Sequence, residues 1–416
     1  MTAETTNTLV IGAGQAGIAM SEHLTQRGIP HIVVERSRIA ERWRTERWDS
    51  LVANGPAWHD RFPNLTFANV EPDDFAPRAS IVDYFEAYAA KIHAPIRCGV
   101  NVTALHPPEP GRPFLAETNA GPIHATNVIV ATGPFQRPHI PPLVPPQNGI
   151  AQLHSAAYRN PAQLPDGHVL VVGAGSSGVQ IADELLRAGR RVHLAVGPHN
   201  RPPRRYRGRD FVWWLGVLGK WSATICEPGR EHITIAVSGA HGGHTVDFRD
   251  MARRGITLLG RAEKFHDGTL HFAADLAQNV ALGDKDYLSV LDEADAYAAR
   301  ESLDLPEDPE ARLSPPIPLH AEPVLELHLA NAGITSIVWA TGYALDLDWL
   351  PPGALDPSGR PRHHGGISAI PGLYHLGLPW LRNRASAFIW GVWQDAAHLA
   401  DHIATRDPHQ PHQKTP

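Results

Sequence analysis

Two stretches of the chain carry hydrophobic and polar positions in the same order. At residues 8–24, TLVIGAGQAGIAMSEHL, an apolar run ends in Gly-x-Gly-x-x-Gly and passes into small and apolar residues at helical spacing. At residues 169–185, VLVVGAGSSGVQIADEL, the order returns. An apolar run closed by a glycine turn predicts a buried strand, and apolar recurrence at i, i+3 and i+4 predicts the helix after it. A turn at Gly28 or Gly189 and a second apolar run follow each helix, HIVVE at 31–35 and VHLAV at 192–196. The chain therefore predicts two βαβ units.

Between and beyond them the pattern is coarser. NVIVATG at 127–133 and ITSIVWATG at 334–342 predict two further strands, each leaving its sheet in an Ala-Thr-Gly turn, where Thr132 and Gly133 stand close to a bound cofactor. Helical spacing recurs at 81–92, 287–303 and 391–403, and the proline-rich RPHIPPLVPP at 137–146 reads as an extended crossing between domains. The expected fold is α/β, with two Rossmann-like dinucleotide-binding domains. Residues 1–147 form the first part of one domain, 148–325 a second, inserted domain with a helical insertion at about 206–310, and 326–405 the return. Residues 406–416 form a disordered tail.

The glycines set the chemistry. In each motif the first permits a tight turn, the second lets a pyrophosphate approach the backbone, and the third lets helix and strand pack closely. Gly12, Gly14 and Gly17 are the candidates in the first unit. Gly173, Gly175 and Gly178, with Ser176 and Ser177, are those of the second.

The ends of the second strands separate the sites. Glu35, followed by Arg36, closes HIVVE, and an acid there accepts from both ribose hydroxyls of an adenosine. Val196 stands at the matching place in the second unit, followed by GPHNRPPRRYRGR. Guanidinium forks match a phosphate, so Arg201 and Arg204 are candidates for the 2′-phosphate of NADP. The expected cofactors are a tightly held FAD in the first unit and NADPH in the second.

Composition narrows the alternatives. At 416 residues the chain exceeds one ordinary core, and its net charge of −6 argues against a nucleic-acid binder. No apolar run reaches the length of a bilayer span, so a soluble cytoplasmic protein is expected, with no membrane partner. Cys98 and Cys226 are the only cysteines and lie far apart in sequence, which excludes a Cys-x-x-Cys relay. The 25 histidines, HGGH at 241–244 and His363-His364 among them, lack metal-site spacing, and no metal is expected.

Taken together, the paired motifs, ERWRTERWDSLVANGP, ATGPFQRP, HSAAYR and WATGY resemble the class B flavoprotein monooxygenases, over residues 8 to about 405. The resemblance implies that NADPH reduces FAD and that O₂ yields a flavin hydroperoxide, which passes one oxygen atom to a small organic substrate. It places Trp43 and Arg44 along the FAD and Asn54 by the flavin as the catalytic residue. The C-terminal helix near Gln394 is implied to aim its N-terminus at the flavin carbonyl edge.

The chain departs from the family pattern between the domains. His154 and Tyr158 keep half of the family signature, its phenylalanine is missing, and Gly149 lies five residues before His154 instead of four. Tyr158-Arg159 replaces the Trp-Pro of Baeyer–Villiger members, so oxidation at nitrogen or sulfur is favoured over ketone oxidation. An NADPH:acceptor oxidoreductase without oxygen insertion and a nucleotide sensor without turnover are the other readings, and a homodimer is left open. The tryptophan-rich FVWWLGVLGKW and WLRNRASAFIW fit either an apolar pocket or ordinary packing.

Overall fold

The computed structural model of the protein describes residues 4–146, 149–224, 235–313 and 323–406. Glu4–Ile11 runs through the middle of the first sheet, parallel to His31–Glu35 on one side and Ile123–Val130 on the other. Ile96–Cys98 and Leu373–His375 extend the parallel part outward. These strands are apolar on both faces because both are covered. Val10, Val33 and Ile129 pack with Ile18, Met20 and Leu24 of the helix Gln15–Gln26 and with Val392 and Leu399 of the C-terminal helix Ile389–Thr405. Leu9, Val34, Val128 and Val130 face a second cluster with Phe114 and Leu347.

The second sheet holds five parallel strands in the order Thr257–Leu259, Val192–Ala195, His168–Val172, Ile334–Trp339, Ala151–His154. Here too the apolar run divides by period two. Val169 and Val171 pack with Val179 and Ala182 of the helix Ser176–Arg187, and Leu170 and Val172 face Phe272 and Trp339.

Two boundaries expected from the sequence are corrected by this pairing. The strand Ile334–Trp339, assigned to the return that begins at 326, lies inside the second sheet. Thr257–Leu259, inside the expected insertion at 206–310, is an edge strand of the same sheet. The reason is local packing. The Ala-Thr-Gly turn after Trp339 abuts the second glycine motif, just as the turn after Val130 abuts the first. A Cβ on Gly173 would lie 2.4 Å from the Ala340 carbonyl oxygen, and one on Gly12 would lie 2.6 Å from that of Ala131. Each Ala-Thr-Gly strand is thus the partner of its own cradle.

Arg137–Pro138 and Tyr343–Ala344 pair antiparallel, so the outgoing and returning crossings lie side by side. Among the described residues no helix is long and apolar enough to cross a membrane, and no group of three or more side chains has metal-binding geometry. Cys98 is exposed. Cys226 and nearly all of the tail expected to be disordered lie outside the described residues.

Candidate cofactor cradles and active site

The first cradle is built by steric necessity. Gly12 takes φ +110°, and a Cβ on Gly17 would sit 1.8 Å from the Gly12 carbonyl oxygen, so neither position admits a side chain. A Cβ on Gly14, which caps the helix Gln15–Gln26, would meet nothing within 4 Å. That open space lies at a helix N-terminus, where unpaired N–H groups and the dipole receive a pyrophosphate, so the residues fit the group. Glu35 accepts from the backbone N–H of Ala13 and of Ser37, both at 2.9 Å. A carboxylate has about four lone-pair sites, so the adenosine ribose finds an oriented acceptor with capacity left. Arg36 is exposed beside it. Gln136 Nε2 donates to Thr132 Oγ1 (2.8 Å) and to the Gly133 carbonyl (2.7 Å), fixing the adjacent turn.

The segment after Glu35 departs from expectation in one residue. Trp43 packs against the cores of both units, as a residue along the cofactor must. Arg44 turns away: it pairs with Glu86 and donates to the Ile39 carbonyl. Arg47, which sequence reasoning passed over, lies 5.5 Å from the Trp43 ring centre and 5.0 Å from that of Phe135, the cation held between two aromatic faces. Only its place in a run of arginines marked it in the sequence, and the aromatic partner at 135 is far along the chain.

The second cradle repeats the first. Gly173 takes φ +107°, a Cβ on Gly178 would lie 1.8 Å from the Gly173 carbonyl oxygen, and Gly175 caps the helix Ser176–Arg187. Ser177 is half-buried in its first turn, and Ser176 Oγ donates to the Ile235 carbonyl at 2.8 Å. Val196 is buried, its N–H donating to Leu259 and its carbonyl accepting from Asn279 Nδ2. No acid competes there for a ribose.

The two candidate phosphate readers are corrected. The Arg201 side chain is 6% exposed; it pairs with Asp284 at 3.0 Å, donates to the Val246 carbonyl at 3.2 Å and lies over Tyr287. Arg204, 2% exposed, pairs with Asp210, donates to the Asn54 carbonyl at 2.6 Å, and is flanked by Phe75 and Phe211 at 4.8 and 4.5 Å. Burial lowers the pKa of Arg204 while Asp210 opposes the shift. Both guanidinium groups have their donors engaged inside the protein, so neither fork is presented to a dinucleotide.

Asn54 sits where the units meet. Its Oδ1 accepts from Gln180 Nε2 at 2.9 Å, and Gln180, 8% exposed on the second cradle helix, also donates to the Val237 carbonyl at 2.7 Å. The side chain is therefore held from the other unit, and its amide nitrogen has no partner among the described residues. Gln180 was missed in the sequence; its only signal is one polar residue between Val179 and Ile181 on a buried face. His154 Nδ1 accepts from the Ala156 N–H, so its Nε2–H donates to the Gly342 carbonyl at 2.9 Å, and burial lowers its pKa. Tyr158 is buried against Glu184, to which its hydroxyl donates at 2.7 Å.

The C-terminal helix starts at Ile389, and Gln15 Nε2 donates to the Ala387 carbonyl at 2.7 Å, tying that start to the first cradle. Gln394 is exposed in the helix's second turn, beyond the groups that carry the terminal dipole.

This geometry has known counterparts. The pyridine nucleotide-disulphide oxidoreductase family model matches residues 9–209. A flavin-containing monooxygenase from Stenotrophomonas maltophilia superposes with a TM-score of 0.65 at 20% identity, over 96% of this chain and 98% of that one. A probable indole-3-pyruvate monooxygenase from Arabidopsis thaliana is 30% identical over 192 residues, 45% of this chain and 46% of that protein. An uncharacterized CzcO-like oxidoreductase from Geobacillus kaustophilus is 32% identical over 400 residues, 95% of this chain and 97% of the relative. At that identity and coverage the chain belongs to the CzcO-like oxidoreductases, and it is an enzyme of the flavoprotein class that its paired motifs resemble.

Proposed function

We propose that the protein is a monooxygenase that holds FAD in the first cradle and NADPH in the second, and uses O₂ to place one oxygen atom on nitrogen or sulfur of a small organic substrate. When bound, the flavin and nicotinamide supply hydride transfer and oxygen activation. The chain supplies position and hydrogen bonds. Gly12, Gly14, Gly17 and the helix start at Gln15 receive one pyrophosphate, Glu35 orients the adenosine ribose, and Gly173, Gly175 and Gly178 receive the second pyrophosphate.

The observation that carries the reading is Asn54. Its Oδ1 is fixed by Gln180 of the nicotinamide unit, which leaves the amide N–H groups as oriented donors at the junction of the two units. A preorganised donor of this kind stabilises charge that develops on a neighbouring oxygen. The lack of a Cys-x-x-Cys pair favours oxygen transfer over a dithiol relay. Heteroatom oxidation is favoured over ketone oxidation because Tyr158-Arg159 stands in place of Trp-Pro, and Arg159 donates to the carbonyls of Ala156 and Tyr158 at 2.7 and 2.8 Å, so it does not supply a free cation.

The test incubates holoenzyme with NADPH, isotopically labelled O₂ and a panel of amines, sulfides and ketones, followed by mass spectrometry. One labelled oxygen in an amine or sulfide product is expected. NADPH consumption with no label in any product would make the protein an acceptor reductase.

A further inference from the structure

The two tryptophan-rich segments, which neither cradle uses, meet in space. Trp221 of the first and Trp390 of the second lie with ring centres 5.5 Å apart, and Trp221 touches Phe388 edge-on at 5.1 Å. His59 fills the corner between them, stacked on Trp221 at 5.4 Å and edge-on to Trp390 at 5.3 Å, with Trp58 beside it. The walls come from both units. Trp58 and His59 follow Asn54 by four and five residues in the first unit, Trp221 belongs to the excursion from the second, and Trp390 lies one residue inside the C-terminal helix that Gln15 ties to the first cradle. Phe388 is 38% exposed, so the box has an open rim.

Two polar atoms inside this box are buried and have no partner among the described residues: His59 Nε2 and Trp390 Nε1. They are of opposite kind. The His59 side chain is 9% exposed, and its Nδ1 lies 2.7 Å from Asp60 Oδ1, while Asp60 Oδ2 accepts from the Gly55 N–H at 2.9 Å. A carboxylate accepts, so the imidazole proton facing it sits on Nδ1 and Nε2 is left as an acceptor. The indole N–H only donates. Each orphaned group costs on the order of 1–3 kcal/mol, and native proteins keep few of them without a use.

We propose that this box is the substrate subsite and that it takes a flat aromatic compound bearing a hydroxyl group. The hydroxyl hydrogen is donated to His59 Nε2, its oxygen accepts from the Trp390 N–H, and the ring of the substrate lies among the tryptophans. One group satisfies both orphans, because a hydroxyl is donor and acceptor at a single oxygen. The proposal deepens the monooxygenase reading by naming its substrate class, and it rests on that reading only for what happens after binding.

The test measures equilibrium binding to holoenzyme of two probes that differ by one group, para-hydroxythioanisole and thioanisole, through quenching of tryptophan fluorescence. Two neutral hydrogen bonds of about 1 kcal/mol each, less the cost of ordering, predict tighter binding of the hydroxylated probe by roughly tenfold or more. His59→Phe and Trp390→Phe each remove one bond and bring the ratio of the two dissociation constants toward one. His59→Gln, which restores an acceptor, recovers part of the ratio. Flavin content and thermal melting confirm that each variant is folded. Equal affinities for the two probes in the wild type, or a ratio untouched by both phenylalanine variants, overturn the subsite and assign the orphaned atoms to bridging water. A preserved ratio without labelled product from either probe leaves the subsite standing and sinks the oxygen transfer, so the two failures are separable.

Discussion

Arg204 offers the sharpest contrast between what its sequence position suggests and what its surroundings allow. In the variant Arg204→Met the volume is roughly kept and the charge is removed. Asp210, whose side chain is 10% exposed, loses its ion-pair partner, and the Asn54 carbonyl loses a donor at 2.6 Å. Breaking a buried pair from one side costs about 3–5 kcal/mol, because a buried charge is left uncompensated. At roughly 2–4 °C per kcal/mol for a domain of this size class, the melting temperature should fall by roughly 6 to 20 °C. The double variant Arg204→Met/Asp210→Asn should regain most of that loss, since replacing both charges of a buried pair is often nearly neutral.

The coenzyme preference should behave in the opposite way. A guanidinium that reads a 2′-phosphate contributes about 1.5–3 kcal/mol, so its loss lowers the NADPH over NADH ratio by about ten- to a hundredfold. With its donors turned inward, Arg204 contributes nothing to that ratio. The assay is anaerobic flavin reduction by each nucleotide, followed by stopped flow, beside calorimetry of the same preparations. Any general disturbance of the site affects both nucleotides and cancels in the ratio. A ratio that collapses tenfold while the melting temperature holds would refute the reasoning and return Arg204 to the phosphate.

Two further predictions follow from the geometry. Removing the Asn54 amide in Asn54→Ala should leave anaerobic reduction by NADPH near wild type, while product per NADPH falls and hydrogen peroxide rises, a loss of about 3–4 kcal/mol in the step after reduction; an unchanged peroxide yield with lowered thermal stability would make Asn54 a turn residue. His193 and His375 are pushed by burial down to about 4 and about 3, so both rings are neutral in the folded protein and take up protons on unfolding. Their stabilising share is complete above the unfolded value near 6.5 and is lost as pH falls toward 4, at up to about 1.4 kcal/mol per pH unit for each. Both ring nitrogens of His375 lack partners among the described residues, so His375→Leu should flatten that slope in urea unfolding at little cost at pH 8, and an undiminished slope counts against the assignment.

What the sequence made legible was what short-range sterics decide. The spacing of Gly12, Gly14 and Gly17 is dictated by a turn, a helix start and a contact within a dozen residues, so the motif and the cradle are nearly the same statement. Glu35 was legible for the same reason, since its oxygen meets the Ala13 N–H inside one βαβ unit. The fates of the arginines were not. Whether Arg201 faces a ligand or the interior depends on Asp284, 83 residues downstream on a helix whose packing no local pattern announces. The strand Ile334–Trp339 is apolar on both faces and suits either sheet by its pattern. Only the contact between Ala340 and Gly173 decides which sheet takes it. The box around His59 was half legible: the tryptophans stood out, but the opposed polar atoms between them appear only when three distant segments are brought together.

The junction at Asn54 explains why a nucleotide domain and an oxygen-handling residue are coupled at all. Gln180 is one helical turn into the second cradle helix and reaches the Asn54 side chain, while Arg204 of the same unit reaches the Asn54 carbonyl. Ser176 and Gln180 both donate to the segment around Ile235 and Val237, so the helix that receives the nicotinamide pyrophosphate also fixes the orientation of the amide. Docking of the second unit is then a condition for a working donor in the first. Gln180→Leu tests this without altering either glycine cradle. It removes the anchor of Asn54 Oδ1 and leaves the Val237 carbonyl unpaired, at a cost of about 1–3 kcal/mol for each group that stays dry. NADPH affinity and anaerobic reduction should change little, while product per NADPH should fall in the same direction as in Asn54→Ala. The double variant should add little to either single one, because the two residues act as one unit. Additive losses in the double variant, or full coupling in Gln180→Leu beside a damaged Asn54→Ala, would mean that the amide is oriented by some other contact and that the cross-unit hydrogen bond serves packing alone.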